Sequence, residues 1–477
     1  MKHVKFVSVL IFLMSFLTST AQRPIGVFDS GTGGLTVLEA ILTLDAFNNR
    51  TGQPGADGKK DFEKESFQYL ADQANMPYGN YAAEKKTDLL KENILNCMGF
   101  LRGQTFYNRS SNQWNPQRKS PVKMIVLACN TATAYAYNDV RASVITSNPN
   151  EIIPVIGVID AGSKAALIHQ QKQSGTIGVF ATAGTVASDG YPRTLRKMAA
   201  EYGLKDLSIV SQGGFGLAES IDRDWSFYVD TATRIRPDYK GPSLQHKNYP
   251  IRAELMQVYH FDTTNNKLLC EYDGQGRCTD VQINDPGNYV RYHLVSLLEK
   301  MRAEKYTRPL NTLILGCTHY PYMRDTIRNV LNELYQFKEN GQYIYRSVLA
   351  PQVNLIDPSV ETAKEAYVAL RKQSLDTRRP VYFNTSHPRA EFFITVPNTD
   401  DPLVRMQPDG WFTYAYKYGR TAGFFDTVNV VDIFVWILSD ALFGHFYELI
   451  SVTKNGSAAW TGFCAGRNCT FAGSRVK

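Results

Sequence analysis

Two cysteines in this chain stand in the same local setting. Cys129, in Ala128-Cys129-Asn130-Thr131, and Cys317, in Gly316-Cys317-Thr318-His319, each follow an apolar strand-like run and precede a helical one. A small residue comes before each thiol, and hydroxyl or amide residues come after it. A thiol at a helix N-terminus is favoured as thiolate by the unpaired N–H groups and the positive end of the dipole. An ordinary thiol titrates near ~8.5, so a modest downward shift brings it to working pH, where acid/base transfer is efficient. Two such thiols suit a stereochemical inversion, in which one base removes a proton from one face of a carbon and a second acid delivers one to the other. The alternative is two buried cysteines at strand ends. Their matching surroundings argue against that.

The elements that must position them read as an α/β protein. Pro24–Phe28 is a short apolar strand, Asp29–Gly34 is a glycine turn, and LTVLEAILTL is a helix. The same grammar recurs: strand Lys123–Ala128 before a helix from Thr131, strand Val155–Ile159 before SKAALIHQ, strand Thr176–Phe180 before the turn Ala181–Gly184, and strand Leu313–Gly316 before PYMRDTIRNVLNEL. Alternation at this spacing implies parallel sheets covered by helices. The expectation is two pseudo-symmetric parallel-sheet domains facing a shared cleft, one thiol from each, since ligands of open α/β sheets bind beyond the carboxyl ends of the strands. The first domain spans 23–154 and is completed by about 340–426. The second spans 155–339 and carries an insertion at about 222–289, rich in Asp, Asn and Tyr. Asn48–Glu65 reads as a polar surface insertion. Residues 427–477 form an extension of no assigned role, whose apolar run VVDIFVWILSDALFGHFYELI reads as a buried amphipathic helix.

An apolar content of 43% fits a globular chain with real cores. The net charge of +7 comes with no dense Lys/Arg run interleaved with aromatics, so nucleic acid is not indicated. Residues 1–22 have a short basic start, the apolar run VSVLIFLMSFL and a small-residue close, which reads as a secretory signal; a retained anchor is the alternative. The expected location is periplasmic or extracellular, with no membrane span after cleavage. Cys270 with Cys278, and Cys464 with Cys469, are local disulfide candidates for an exported chain. Cys97 reads as a core residue. No metal-ligand spacing is found, nor any reason to invoke pyridoxal phosphate. Gly31–Gly34 only superficially resembles a dinucleotide fingerprint, since Thr36 stands where its last glycine belongs; the turn's expected use is to offer N–H groups to a substrate carboxylate.

The stretches GVFDSGTGGLTVL, MPYGNY, VLACNTATA, IGVFATAGTVASDGY, LILGCTHYP and IDPSVETA, in that order from Gly26 to about Ala363, together resemble the glutamate racemases of the aspartate/glutamate racemase family. The resemblance implies a cofactor-independent isomerase whose substrate is a small acidic amino acid. Catalytic roles then fall to Cys129 and Cys317, with Asp29 assisting the first thiol and helping to hold the ammonium group, His319 assisting the second, and Glu219 aligned as a further acid. Substrate contacts fall to Ser30, Pro77, Tyr78, Gly79, Asn130, Thr131, Thr182, Thr185 and Thr318.

The departures from the family pattern are specific. VSQGGFGLAE stands where the family has an ACP-like stretch before its acid, and the chain between Glu219 and Cys317 is longer than the family needs. Export is a further departure, because the family makes D-glutamate in the cytoplasm for cell-wall (peptidoglycan) precursors. Glutamate, aspartate or another acidic amino acid all remain open, since one methylene changes binding only modestly. A non-catalytic exported binding protein on the same scaffold is the reading from another class, and a homodimer is left open.

Overall fold

The computed structural model describes residues 22–31, 33–110, 113–147, 153–221, 223, 226–377, 389–406, 410–423 and 428–436. The signal-like segment (but for Gln22) and the Cys464–Cys469 pair lie outside them. The chain divides into two compact units, one built from residues up to 132, 136–157 and 362 onward, the other from 133–135 and 158–361.

In chain order the strands are β1 (Ile25–Asp29), β2 (Phe67–Ala71), β3 (Thr105–Ser110), β4 (Gln113–Arg118), β5 (Met124–Leu127), β6 (Val155–Gly157), β7 (Thr176–Ala181) and β8 (Ser208–Gly213). There follow β9 (Leu268–Tyr272), β10 (Cys278–Ile283), β11 (Leu310–Gly316), β12 (Lys338–Glu339), β13 (Gln342–Tyr343), β14 (Leu349–Ile356), β15 (Ala390–Pro397) and β16 (Val428–Trp436). The first unit holds one sheet in the order β4-β3-β16-β15-β2-β1-β5-β6. Its five-strand part, β15 to β6, is parallel throughout. The second unit holds the parallel sheet β14-β11-β7-β8. The α/β expectation therefore holds.

Continuous apolar runs explain the central strands, because a parallel strand covered on both faces has no polar side to present. Every residue of β1, β2, β5 and β7 is buried. The helix Leu35–Thr43 buries Leu35, Val37, Leu38, Ile41 and Leu42, a 3.6-residue stripe against the sheet. The helix Pro286–Ala303 opens on Asp285, whose carboxylate accepts the Asn288 N–H at 3.0 Å, with Pro286 at its first position.

Four sequence expectations change. The strand β14 pairs with β11, so the chain returns to the first unit at Thr362 and not near 340; the buried ends Leu349-Ala350 and Leu355-Ile356 are what hold it there. Val428–Trp436 is a strand, not a helix: its run of β-branched and aromatic residues pairs antiparallel with β15. Asn48–Glu65 is not wholly superficial. The Asp61 carboxylate accepts the N–H groups of Ala46 and Phe47, and Phe62 is fully buried beside Phe67 and Tyr367. Finally, β6 ends at Gly157, and Val158-Ile159 already belong to the helix Val158–Lys172. The long insertion carries the hairpin β9–β10, closed by the disulfide Cys270–Cys278. Cys97 is a buried, free thiol within the helix Thr87–Arg102. Among the described residues no helix is long and apolar enough to cross a membrane.

Candidate active site

In the first unit the site residues gather at the carboxyl ends of neighbouring parallel strands. Asp29 ends β1 and Cys129 follows β5, its partner strand. The Asp29 carboxylate is buried and accepts the N–H groups of Gly31 and Gly34, both at 3.1 Å. Those two donors thus hold Asp29 in place and are not open to a substrate carboxylate. The geometry also requires glycine at 34: a Cβ there would lie 2.6 Å from the Cβ of Asp29 and 3.0 Å from that of Ala128. The Cys129 thiol donates to Ser30 Oγ at 3.5 Å and accepts the Ala132 N–H at 3.4 Å. Asn130 and Thr131, both buried, form the first turn of the helix Asn130–Ser147.

Burial pushes the Cys129 thiol up from an ordinary 9.0 to about 12, and the Asp29 charge adds to it. The bonds from Ala132 and Ser30 pull the other way and do not win. The expectation of a thiolate at this helix N-terminus is therefore corrected for the free protein: three hydrogen bonds, from the Ala132 backbone and from the Ser30 backbone and side chain, do not compensate full desolvation plus a carboxylate neighbour.

The loop Pro77–Gly79 follows β2. Pro77 is exposed and its bond to Met76 is cis. Tyr78 is buried, and its hydroxyl donates to Asp72 Oδ2 at 2.5 Å. That hydroxyl is thus committed within the protein, although the ring, 6.4 Å from Phe28, stays beside the end of β1.

In the second unit Thr182 and Thr185 follow β7, and Cys317, Thr318 and His319 follow β11, which pairs with β7 up to Gly316↔Ala181. Cys317 is buried and free. His319 Nδ1 lies 3.7 Å from its Sγ and 3.5 Å from Thr318 Oγ1. Gly316 is required here too, since a Cβ would meet Ala181 Cβ and Tyr191 Cε2, each at 2.9 Å. The Thr182 hydroxyl accepts the Thr185 N–H at 3.2 Å and donates to Thr185 Oγ1 at 3.0 Å, capping the turn Ala183–Ala187. Glu219 lies in the helix Leu217–Ile221 beyond β8, and its charge is felt by Tyr320 and Tyr289.

Several supporting residues were not singled out in the sequence. The Tyr69 hydroxyl donates to Gly31 O at 2.7 Å and so pins the first turn. Tyr320, the residue after His319, is fully buried and donates to Gly214 O at 3.2 Å. Asp357, inside the IDPSVETA stretch, accepts the Ser359 N–H at 2.9 Å, and burial pushes its carboxyl up. Only Asp357 and Tyr320 lay within a stretch that the sequence picks out.

No protein-family model matches the chain. Curated relatives do. A glutamate racemase of Ralstonia nicotianae is 28% identical over 330 residues, covering 69% of this chain and 78% of the relative. A glutamate racemase of Levilactobacillus brevis is 27% identical over 373 residues, covering 77% and 88%. The chain is thus similar over more than two thirds of its length to glutamate racemases, members of the aspartate/glutamate racemase family. Its class is therefore that of the amino-acid racemases, a group of isomerases. Among solved structures, a glutamate racemase isoform of Bacillus anthracis superposes with a TM-score of 0.45 at 22% identity, covering 78% of this chain and 89% of that one.

Proposed function

We propose that this chain interconverts L- and D-glutamate, with Cys129 and Cys317 as the two acid/base groups. One thiolate removes the α-proton as the other thiol returns a proton to the same carbon, so no electrons leave the substrate and no cofactor is needed. The observation that carries this reading is the repeated elbow: in each unit a buried thiol outside any disulfide follows an interior strand of the parallel sheet, β5 or β11, behind a small residue. Each thiol also has its own polar companions, Asp29 and Ser30 for Cys129, His319 and Thr318 for Cys317.

The raised Cys129 thiol fits this reading once substrate is considered. An α-ammonium group beside Asp29 would offset the carboxylate that adds to the raised pKa, and its own positive charge would favour the thiolate, so substrate shifts the thiol down toward its working range against the larger effect of burial. Asn130, Thr131, Thr182, Thr185 and Thr318 would supply donors to the carboxylates, and Pro77–Gly79 would line the pocket.

The test is solvent deuterium incorporation at Cα with purified protein. L- and D-glutamate should both exchange, with aspartate slower by about tenfold or more. Faster exchange of aspartate would transfer the assignment to that substrate; no exchange with any acidic amino acid would leave a binding protein. We also propose that the chain is exported, a reading supported by the signal-like sequence and by the Cys270–Cys278 disulfide.

A further inference from the structure

The loop 72–86, which carries Pro77–Gly79, is gripped by a part of the chain more than 300 residues away. Its hub is Asp72, fully buried at the end of β2. The Asp72 carboxylate accepts the Tyr78 hydroxyl, both contacts from the Asn75 amide (2.9 and 3.1 Å) and the Thr395 hydroxyl at 2.6 Å. Thr395 belongs to β15 and also accepts the Ala74 N–H at 3.0 Å. Around the helix Tyr414–Gly419 the grip continues. Lys417 Nζ donates to Met76 O at 2.5 Å, and the Tyr418 hydroxyl to Pro77 O at 3.4 Å. Arg420 donates to Asn75 Oδ1 at 2.6 Å, and its own carbonyl accepts Lys86 Nζ at 3.1 Å. Tyr418 packs edge-on against Tyr81 with ring centroids 5.0 Å apart, and Tyr81 packs likewise on Tyr78 at 6.1 Å.

We propose that β15 and the stretch 410–420 form a clasp that sets substrate affinity, with Arg420, Thr395 and Asp72 as positioning residues for the Pro77–Gly79 loop. The warrant is the distribution of these contacts. They fall on backbone carbonyls on either side of the cis bond (Met76, Pro77) and on the Asp72–Asn75 turn that precedes it, so they fix the path of the loop. The loop's own bonds are mostly short-range, such as Asn75 N–H to Asp72 O, Met76 N–H to Gln73 O and Lys86 N–H to Tyr81 O, and they set local turns, whereas the contacts from β15 and Lys417–Arg420 tie the loop to the sheet and to the distant chain. The Arg420 guanidinium is held in turn, over the rings of Phe412 at 4.9 Å and Tyr416 at 5.6 Å, which makes it a rigid donor. A loop that must be ordered before it can bind lowers apparent affinity by the fraction of time it is ordered. Loosening the clasp then raises KM, while saturating substrate restores the ordered loop and with it kcat.

The kinetic arm of the test rests on the racemase reading; the structural arm does not. Full-length protein is compared as wild type, Arg420→Ala, Arg420→Lys, Thr395→Val and Thr395→Ser, by racemisation kinetics and by hydrogen–deuterium exchange of the ligand-free chain. Arg420→Ala and Thr395→Val should raise KM about tenfold, with kcat within about twofold, and should speed exchange across 72–86. Arg420→Lys should recover part of the loss, and Thr395→Ser, which keeps the hydroxyl, nearly all. Unchanged exchange at 72–86 in both deletions overturns the proposal, as does a fall in kcat at constant KM. If wild type racemises nothing, the functional reading fails, while the exchange experiment still decides whether the clasp orders the loop.

Discussion

Cys129 should alkylate slowly in the free protein, and the pH profile of that reaction should report why. Thiolate is the reacting species, so the rate follows the ionised fraction. With its thiol raised from 9.0 to about 12, Cys129 at pH 8 is ionised about a thousandfold less than an ordinary cysteine. Burial slows reagent access as well, so the absolute rate mixes two effects. The slope separates them: the logarithm of the rate should climb by about one for each pH unit up to pH ~11, whereas an ordinary thiol levels off near pH ~9. The assay is iodoacetamide labelling resolved by peptide mass spectrometry, with the same peptide in urea as the unperturbed reference. Cys97, buried and pushed well above its ordinary value, is an internal control that should lag in the same way. Asp29→Asn removes the second of the two causes, so it should move the Cys129 profile to lower pH while leaving most of the displacement, because burial is the larger cause. A native-state profile that levels off between pH 8 and 9, or an Asp29→Asn profile superposing on wild type, would refute this account of the electrostatics.

Four further outcomes are expected. Cys129→Ser and Cys317→Ser should each abolish racemisation, while an analogue with a β-leaving group, which needs only one base, should still be eliminated from the L-form by Cys129→Ser and from the D-form by Cys317→Ser; racemisation near the wild-type rate in either variant sinks the two-thiol mechanism. Gly34→Ala forces a Cβ to 2.6 Å from that of Asp29, and should destabilise by about 1–3 kcal/mol and cut kcat more than Ser30→Ala does; equal effects on both measures would show that Asp29 need not stay fixed. His293 is fully buried, and burial lowers its pKa from 6.5 to about 4 against the pull of the Phe215 carbonyl. Because the folded value is depressed, the associated stability is present above pH 6.5 and lost as pH falls toward 4, about 3 kcal/mol in all; urea midpoints from pH 7 to 4 should show a loss that is shallower in His293→Gln, and parallel curves would count against it. Mass spectrometry of the protein from its native host should find cleavage near Ala21 or Gln22 and the Cys270–Cys278 bridge, and an intact Met1 in a cytoplasmic fraction would end the export proposal.

What the sequence made legible was whatever is local. A strand, a turn and a helix in succession announce an elbow, and the residue types at the elbow suggest its chemistry, so Cys129 and Cys317 could be named before the fold was known, while Asp29 and His319 were added by the family resemblance. Ionisation was not legible, because it is a property of everything packed around a group. The helix N-terminus beside Cys129 is written in the sequence; the desolvation that overrides it is not. Long-range bracing was equally hidden. Nothing in FQYLA says that Tyr69 will reach Gly31 O, and nothing in YAYKYGR says that it will lie on Met76 and Pro77. The error over Val428–Trp436 has the same origin: a run of β-branched and aromatic residues fits a buried helix or a covered strand, and only pairing with β15 decides.

The departure around Glu219 and the long insertion before Cys317 are, on the structure, one change rather than two. Phe215, in the middle of Gly213-Gly214-Phe215-Gly216, stacks on Tyr249 of the insertion at 4.1 Å with a 6° interplanar angle, and meets Phe227 edge-on at 5.5 Å. Of the flanking glycines, Gly216 gives the clearance that the insertion demands, and Gly214 gives clearance to Tyr320. A Cβ at Gly216, whose φ is +81°, would lie 2.7 Å from Tyr289 and 2.8 Å from Phe227, and one at Gly214 would run into the Tyr320 hydroxyl. The Phe215 carbonyl is bonded by His293 Nε2 at 3.0 Å, from the helix Pro286–Ala303 that closes the insertion. The insertion thus anchors the turn that leads into the helix bearing Glu219, and Gly216 belongs to the anchor. A chain with the insertion and a bulkier turn would clash, and one with the glycines and no insertion would leave Phe215 exposed on an unrestrained loop. Glu219 keeps a fixed place because the two features occur together.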